Sequence, residues 1–368
     1  MKLGKAISWL MGTLQRSLFP RLEQCWEVPL TEKERQIVAI LELIKIEKFV
    51  VRNASHQHLG RRLRERESIA RSFVVKAIHG YPFTRTLIEA LKTTPTLRRI
   101  CGFERVSVIP SEATFSRAFA EFAKSGLGDR VHNALVETCL KPELVGHISR
   151  DSTAIEGREK PARKPPRQKA KPRKRGRPAK GEQREPKEPT RLERQCGQSA
   201  REALEELPAV CDVGTKKNAK GFKETWIGYK LHADVNDGGL PVSVALTAAS
   251  VHDSQVAIPL MKMSSSKVDY LYDVMDAAYD AGPIYEVSRS LGHVPLIDKN
   301  PRGKEVVPMA PHEATRYNER TAVERFNSRI KEEFGANNVM VRGAQKVKMH
   351  LMFGVLALFA DHLIKLAI

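Results

Sequence analysis

The stretch "WIGYKLHADVNDGGLPVSVALTAASVHD", Trp226 to Asp253, reads as two extended segments joined by the turn residues Asn236, Asp237, Gly238 and Gly239. Runs rich in β-branched and aromatic residues on either side of such a turn predict a β-hairpin. Upstream, "LVGHISRDSTAI" (144–155) reads as a strand with Asp151 near its end. Downstream, "KVDYLYDVMDAAY" (267–279) reads as a strand, "GPIYEVSRSLG" (282–292) as a short helix and "HVPLID" (293–298) as a strand. Two closing segments, from about 312 and about 344, read as helices. Antiparallel strands come first, then strand and helix alternate, which is an α/β pattern with a mixed sheet flanked by helices.

Residues 1 to about 140 read as mostly helical. "TEKERQIVAILELIKIEKFV" (31–50) opens with a capping-box pattern, Thr31 with Glu34, and then runs apolar at helical spacing. A second helix is expected at "PSEATFSRAFAEFAKSG" (110–126), with Ser111 as N-cap and Gly126 as stop. Arg-rich turns such as "LGRRLRERE" and "TPTLRRI" suit a helix-turn-helix type DNA-binding module, in which Arg117 is a candidate contact. A helical packing or dimerisation domain fits the same pattern.

The 368 residues carry a formal charge of +19, which points to a polyanionic partner. Residues 158–189 hold 14 Lys or Arg, 4 Glu and 7 Pro, with no aliphatic side chain larger than Ala. That segment contributes +10 of the total and cannot form a core, so a disordered basic, Pro-rich insertion is expected at about 157–209. Inside it "KRGRPAK" resembles an AT-hook, whose Arg-Gly-Arg-Pro core lies in the narrow minor groove of A·T-rich DNA. Lys174, Arg175 and Arg177 are its candidate DNA contacts. Nonspecific polyanion binding explains the same composition.

The apolar run "LMFGVLALFA" (351–360) is too short to span a bilayer, is followed by Asp361 and His362, and reads as a buried helix. No membrane partner is expected. The N-terminus faintly resembles a signal peptide but lacks a clear cleavage site and an unbroken apolar region. Five widely spread cysteines, with no C-x-x-C, indicate neither a disulfide framework nor a zinc site. A reducing cytoplasm fits.

One further segment carries chemistry. In "YNERTAVERFNSRIKEEFG" (317–335), Tyr317, Arg320, Glu324 and Lys331 would share an arc of roughly 60° on one continuous helix. Val323, Phe326, Ile330 and Phe334 fall on an adjoining apolar arc that would dock the helix on a core. Ordinary Glu-to-Arg and Glu-to-Lys pairs along a solvated helix would look the same.

The pattern Y-x2-R-x3-E-x6-K resembles the signature of one group of bacterial insertion-sequence transposases, DDE enzymes with a ribonuclease-H-like catalytic fold. Tyr317, Arg320, Glu324 and Lys331 match it at every spacing. "RDSTAI" is similar to the family's first-Asp strand, "GYKLH" and "LTAASVHDS" to its central hairpin, and "DAAYDAG" to its second-Asp motif. "VRGAQKVKMHLMFGVLALFADHL" is similar to its C-terminal helix, and "ICGF" with "IPSEATFSRAF" to the N-terminal region that precedes many such domains. The resemblance implies a helical DNA-binding domain over 1–140. It implies an RNase H-like catalytic domain over 141–368, interrupted by the basic insertion.

The resemblance further implies that Asp151, Asp276 and Glu324 are catalytic carboxylates and metal ligands. Two Mg2+ ions, or Mn2+, would be bound there. Hard divalent cations take oxygen ligands, and two of them can stabilise entering and leaving oxygens of an in-line displacement. Asp253, Asp269, Asp273 and Asp280 are rivals for the second position. Strand alternation places Tyr270, Tyr272, Val274 and Asp276 on one face and Asp273 on the other. Tyr317, Arg320 and Lys331 would be auxiliaries that grip phosphate, or Arg320 would orient Glu324 by an ion pair.

The implied partners are the element's ends and target DNA, both double-stranded. Two ends must meet, which implies a homodimer or larger assembly, cytoplasmic and nucleoid-associated in a bacterium. Only 48 positions separate Asp276 from Glu324. That leaves no room for the large β-rich insertion some relatives place there, so inferences resting on it do not transfer. A catalytically silent DNA-binding relic or repressor, and an RNase H-like nuclease, remain as alternative readings.

Overall fold

Thr31 and Glu34 close the expected capping box. The Thr31 hydroxyl accepts from the Glu34 amide at 3.2 Å, and the Glu34 carboxylate accepts from the Thr31 amide at 2.9 Å. They start helix α1 (Glu32–Ile44) in the computed structural model, which describes residues 29–51, 66–141, 143–163, 188–217, 220–301, 305 and 307–367. The initial leader-like stretch, Cys25 and most of "LGRRLRERE" lie outside the described residues. The helices that follow are α2 (Arg66–Ile78), α3 (Thr84–Thr93), α4 (Pro95–Ile100), α5 (Glu112–Lys124) and α6 (Leu127–Cys139). Ser111 stands at the N-cap of α5, and Gly126, at φ 61°, reverses the chain into α6.

After residue 144 the chain becomes β. Strand β1 (Val145–Glu156) lies at the centre of a six-stranded sheet. Two short helices follow, α7 (Arg191–Gly197) and α8 (Ala200–Glu205), then β2 (Asp212–Lys217), β3 (Lys223–Asn236) and β4 (Pro241–Ala248). β3 and β4 form the expected hairpin around residues 237–240, with Gly239 at φ 78° in the turn. The remainder is α9 (Ser254–Ser265), β5 (Tyr270–Met275), α10 (Gly282–Ser290), β6 (Val294–Ile297), α11 (Pro311–Tyr317), α12 (Thr321–Glu332) and α13 (Ala344–Ala367). On one side β1 pairs antiparallel with β3, whose far edge carries β4 and, further along, β2. On its other side β1 pairs parallel with β5, and β5 with β6. The order β4-β3-β1-β5-β6, three antiparallel strands followed by two parallel ones, is consistent with the RNase H-like fold.

Two expectations about this region need correction. The insertion is ordered from residue 190 onward, where capping boxes at Thr190 with Glu193 and Ser199 with Glu202 start α7 and α8, which pack on α9. Local capping hydrogen bonds and a docking surface outweigh the polar composition there. The second correction concerns 317–335, which is not one helix. α11 ends at Tyr317, a 3-10 turn spans 318–320, and α12 begins at Thr321. The tighter turn changes the angular spacing on which a single polar stripe depends.

The apolar run at 351–360 is the middle of α13, and every residue in it is buried. The helix is long and apolar enough to cross a membrane by length and composition, yet it serves as a core helix, with α1, α2, α5 and α6 packed around it. The N-terminal helices, α13 and the strands share one hydrophobic core. α12 docks Val323, Phe326 and Ile330 into that core, as their spacing predicted, with Phe334 just beyond the helix end. It crosses α13 at Gly354, where a Cβ would stand 2.5 Å from the Phe334 carbonyl oxygen. Only glycine permits that approach.

Candidate active site

β1 presents alternate side chains to two different layers, and residue 151 faces α12. Asp151 sits mid-strand, five residues before Glu156, rather than near the strand end as the sequence suggested. The strand that ends here is β5. The parallel register pairs Arg150 with Met275, so Asp151 and Asp276 occupy the next positions on neighbouring strands, about 5 Å apart. Asp276 caps the following 3-10 turn through its Oδ1, which accepts from the Ala278 amide at 2.9 Å. Burial pushes Asp151 up to about 6, and the nearby Asp276 and Asp253 carboxylates add to the rise. Asp276 is raised as well, chiefly by burial.

The third carboxylate comes from α12. The Ser149 hydroxyl donates to the Glu319 carbonyl at 2.8 Å, which pins the start of this helix against β1. Glu324 lies in the first turn of α12, half exposed, and accepts from Arg320 Nη1 at 2.7 Å. The same guanidinium stands 3.8 Å from Asp276 Oδ2. Arg320 therefore bridges the two carboxylates, which is the orienting ion pair weighed from the sequence. Among the described residues no three His, Cys, Asp or Glu side chains converge on one point, and Glu324 is turned to Arg320.

Tyr317 borders this cluster. Burial pushes its hydroxyl up to about 12, with Asp298, Asp276 and Glu324 adding and Arg320 opposing, so it remains a proton donor at ordinary pH. Lys331 does not join it. Seven residues beyond Glu324 it is about 10 Å further along the helix axis. There it lines a separate cavity of about 490 Å3 with Glu156, Lys216, Trp226 and Asn337. Burial, then Lys216, lowers its pKa.

Several contributors escaped the sequence reading. Asp253, weighed only as a rival ligand, precedes α9 on the Arg150 side of β1, held by Ser152 Oγ at 2.8 Å and Lys230 Nζ at 2.9 Å, and its charge still raises Asp151 and Asp276. Burial opposes its charge, but His232, then Lys230 and Ser152, outweigh that and keep it below the ordinary carboxylate range. His232, 3.9 Å away, is itself pushed down to about 4 by burial and brings no charge near neutrality. Lys230 and His232 sit two apart in "GYKLH", a strand spacing that puts both on one face. Asn327, one turn after Glu324, donates to Asp151 Oδ2 at 3.4 Å. Tyr279, buried, was also missed.

The side of the sheet that carries Ser152, Lys230 and His232 also holds a second set of charges. Arg150 is fully buried and bonds Asp234 through Nε and Nη2, both at 2.7 Å, and Asp273 through Nη1 at 3.1 Å. Ser264 supports Asp234 at 2.6 Å, while Ser288 and Tyr270 donate to Asp273 at 2.7 and 3.0 Å. Asp273 is thus committed to a structural network, on the face opposite Asp276 as alternation predicted. Tyr270, assigned to the Asp276 face, instead reaches Asp273 from the strand's first position. Asp280 accepts from Tyr285 and Asn300, away from the pair.

Of the residues proposed to touch DNA, Arg117 lies exposed on α5, with Nη2 donating to Thr114 at 3.3 Å. Lys174, Arg175 and Arg177 fall outside the described residues. The four described cysteines Cys101, Cys139, Cys196 and Cys211 are free thiols.

Neither the comparison with curated proteins nor that with solved structures gives a match. The family comparison does. Residues 27–121 match the family described as Transposase domain (DUF772), covering the helices from α1 into α5. Residues 209–360 match the family described as Transposase DDE domain, covering β2 through most of α13, with Asp276 and Glu324 inside the match. With helices of the one family packed on the C-terminal helix of the other, the chain belongs to the DDE-domain transposases typical of bacterial insertion sequences.

Proposed function

We propose that this transposase binds the terminal inverted repeats of an insertion sequence, cuts at those ends and joins the freed 3′-hydroxyls to target DNA. Tyr317, Arg320, Glu324 and Lys331 are read as the YREK set of that machinery. The observation that carries the reading is the placement of Asp151 and Asp276 side by side on parallel strands, with Glu324 presented beside them from α12.

DDE transposases are generally divalent-metal dependent. When bound, such an ion supplies positive charge to the entering and leaving oxygens of a phosphodiester displacement. The residues fit Mg2+, or Mn2+, because the donors are all hard oxygens. Asp151 and Asp276 would hold the first ion, and Glu324, once released by Arg320, would complete the set for a pair. Arg320 Nε and Asn327 Oδ1 are buried here without partners among the described residues. Such atoms mark a place built for groups that arrive from outside the chain.

The chain's own residues then divide the work. Asn327 orients Asp151, and Lys230 with Ser152 holds Asp253 on the far side of β1, from where its charge still raises Asp151 and Asp276. Arg320 satisfies the carboxylates at rest and is placed to take a phosphate oxygen when DNA enters. Tyr317 offers a hydroxyl donor beside it. Lys331, Lys216 and Trp226 continue the DNA path along β1 and α12, two cations and one stacking surface. Two DNA ends must be brought together, so the working form is a homodimer or larger.

The test is nicking of labelled DNA carrying the element's end, with Mg2+, Mn2+ or EDTA, by wild type and Asp151→Asn. Metal-dependent nicking at the end that vanishes in the variant supports the reading. Equal nicking by the variant, or cutting without end preference at any branched DNA, would overturn it.

A further inference from the structure

A cavity of about 360 Å3 opens between the N-terminal helices, the start of α13 and the segment just after β1. Its floor is aromatic: Phe73, Phe119 and Phe353 are buried there, and Phe73 stacks on Phe353 with ring centroids 5.4 Å apart. Phe83, 39% exposed, stands at the mouth. The cationic side is Lys76, Arg158, Arg342 and Lys346, against which Glu112 is the one lining carboxylate.

Lys76 is the unusual member. It is only 7% exposed and lines the cavity, and no carboxylate offsets the burial of its side chain. A largely buried cation that reaches a cavity is stabilised when a ligand there supplies the counter-charge. Burial pulls its pKa down to about 8, and no neighbouring carboxylate restores it. His350, beside it, is pushed down to about 4 by burial and hydrogen-bonds the Gly335 carbonyl, so it adds no second cation near neutrality.

The cavity also lies on the path from the carboxylates. Arg158 follows β1 by two residues, and Asp151 lies five strand residues, roughly 17 Å, before the end of that strand. Arg342, in the connection from α12 to α13, donates through Nε to the Arg158 carbonyl at 3.2 Å. The Lys331 cavity, lined by Glu156 and Asn337, lies between the two places in chain order along both β1 and α12.

We propose that this cavity receives a single unstacked nucleotide of the bound DNA, with the base on the exposed ring of Phe83 above the buried phenylalanine floor and a phosphate on Lys76 and the two arginines. Its size is that of a small-ligand site, on the order of 300–1,000 Å3. A paired, stacked base presents no face to an aromatic floor, whereas a single-stranded or extruded one does. The proposal rests on the DNA-acting reading above and extends it to a site away from the carboxylates.

The test is a ligand-observed NMR titration of the full chain with deoxynucleoside 5′-monophosphates, with inorganic phosphate and with the nucleosides alone. Saturable binding of the nucleotide, tighter than either fragment, is expected. Lys76→Met, which keeps the length and removes the charge, should weaken it at least tenfold, and Phe83→Ala several-fold. Phe83 is partly exposed, so its variant keeps the test open if Lys76→Met does not fold. Phosphate binding as tightly as nucleotide, no saturable binding, or unchanged affinity in the folded variants would each overturn the proposal. No element end or cleavage enters this titration, so its failure leaves the transposase reading standing. Failure of end nicking with nucleotide binding intact would remove the reading and keep the site.

Discussion

Arg150 and Asp151 are neighbours in β1, and their surroundings are opposites. Arg150 points to the α9 and α10 side, where it meets two carboxylates whose remaining oxygens are taken by serine and tyrosine hydroxyls. Asp151 points to α12, where carboxylates crowd together, one shared arginine serves two of them, and buried polar atoms have no partner. The first face spends its charges on holding the sheet to its helices. The second keeps charge uncompensated, which costs stability and leaves capacity to bind something. Buried charge alone therefore does not mark a functional site; what separates the faces is that Asp276 and Glu324 share one arginine while Asp234 and Asp273 are each closed by hydroxyl donors as well.

Breaking each face in turn should give opposite results. The largest effect expected is on the α12 side: Asp151→Asn should lower end nicking by roughly 10³-fold or more while DNA binding persists, measured in parallel gel assays. The variant should fold at least as stably as wild type, since it removes a crowded carboxylate. Arg150→Met should do the reverse. Leaving Asp234 and Asp273 buried without their cation should cost about 3–5 kcal/mol in urea unfolding. A variant as stable as wild type would remove the structural role assigned to that network.

Acid sharpens the contrast. Burial holds His132, His232 and His350 at about 4, below their ordinary value, so their contribution is present above about 6.5 and is lost as pH falls toward 4. Asp151, raised to about 6, contributes in the opposite sense: stability present below its ordinary value is lost as pH rises through 6. Unfolding free energies from urea titrations should therefore fall between pH 6.5 and 4, by several kcal/mol in all. In Asp151→Asn the fall should be steeper by on the order of 1–2 kcal/mol, because the compensating carboxylate is gone and was only partly shielded from water. An unchanged slope would show that Asp151 is not perturbed.

The smallest effect is at Tyr279, whose buried hydroxyl has no partner. Tyr279→Phe should raise stability by about 1 kcal/mol, since a desolvated donor disappears and the ring stays. A loss in thermal unfolding would mean that the hydroxyl is satisfied in solution.

Much of the frame was legible because local rules govern it. The Thr31 cap, the hairpin turn at Gly239, β5 and the apolar arc of α12 follow from capping, turn chemistry and periodicity. α9 escaped because Pro259 interrupts its helical pattern, and α7 and α8 because basic composition masked their caps. β2 was missed for want of apolar alternation in "DVGTKK". At the site, the resemblance singled out Asp151, Asp276 and Glu324, and the structure sets them around one arginine. It separates Lys331 from them, because seven helical residues are a distance as well as an angle.

What the sequence determined by itself was which segments could be strand or helix, and that acidic and basic residues recur at meaningful spacings, since these depend on neighbours a few positions away. Only the tertiary structure decided that β1 lies between β3 and β5, that Asp273 is structural while Asp276 is available, and that the N-terminal helices wrap α13. Each of those outcomes joins residues far apart in the chain. The free energy of burying and pairing them exists only once the strands and helices have met.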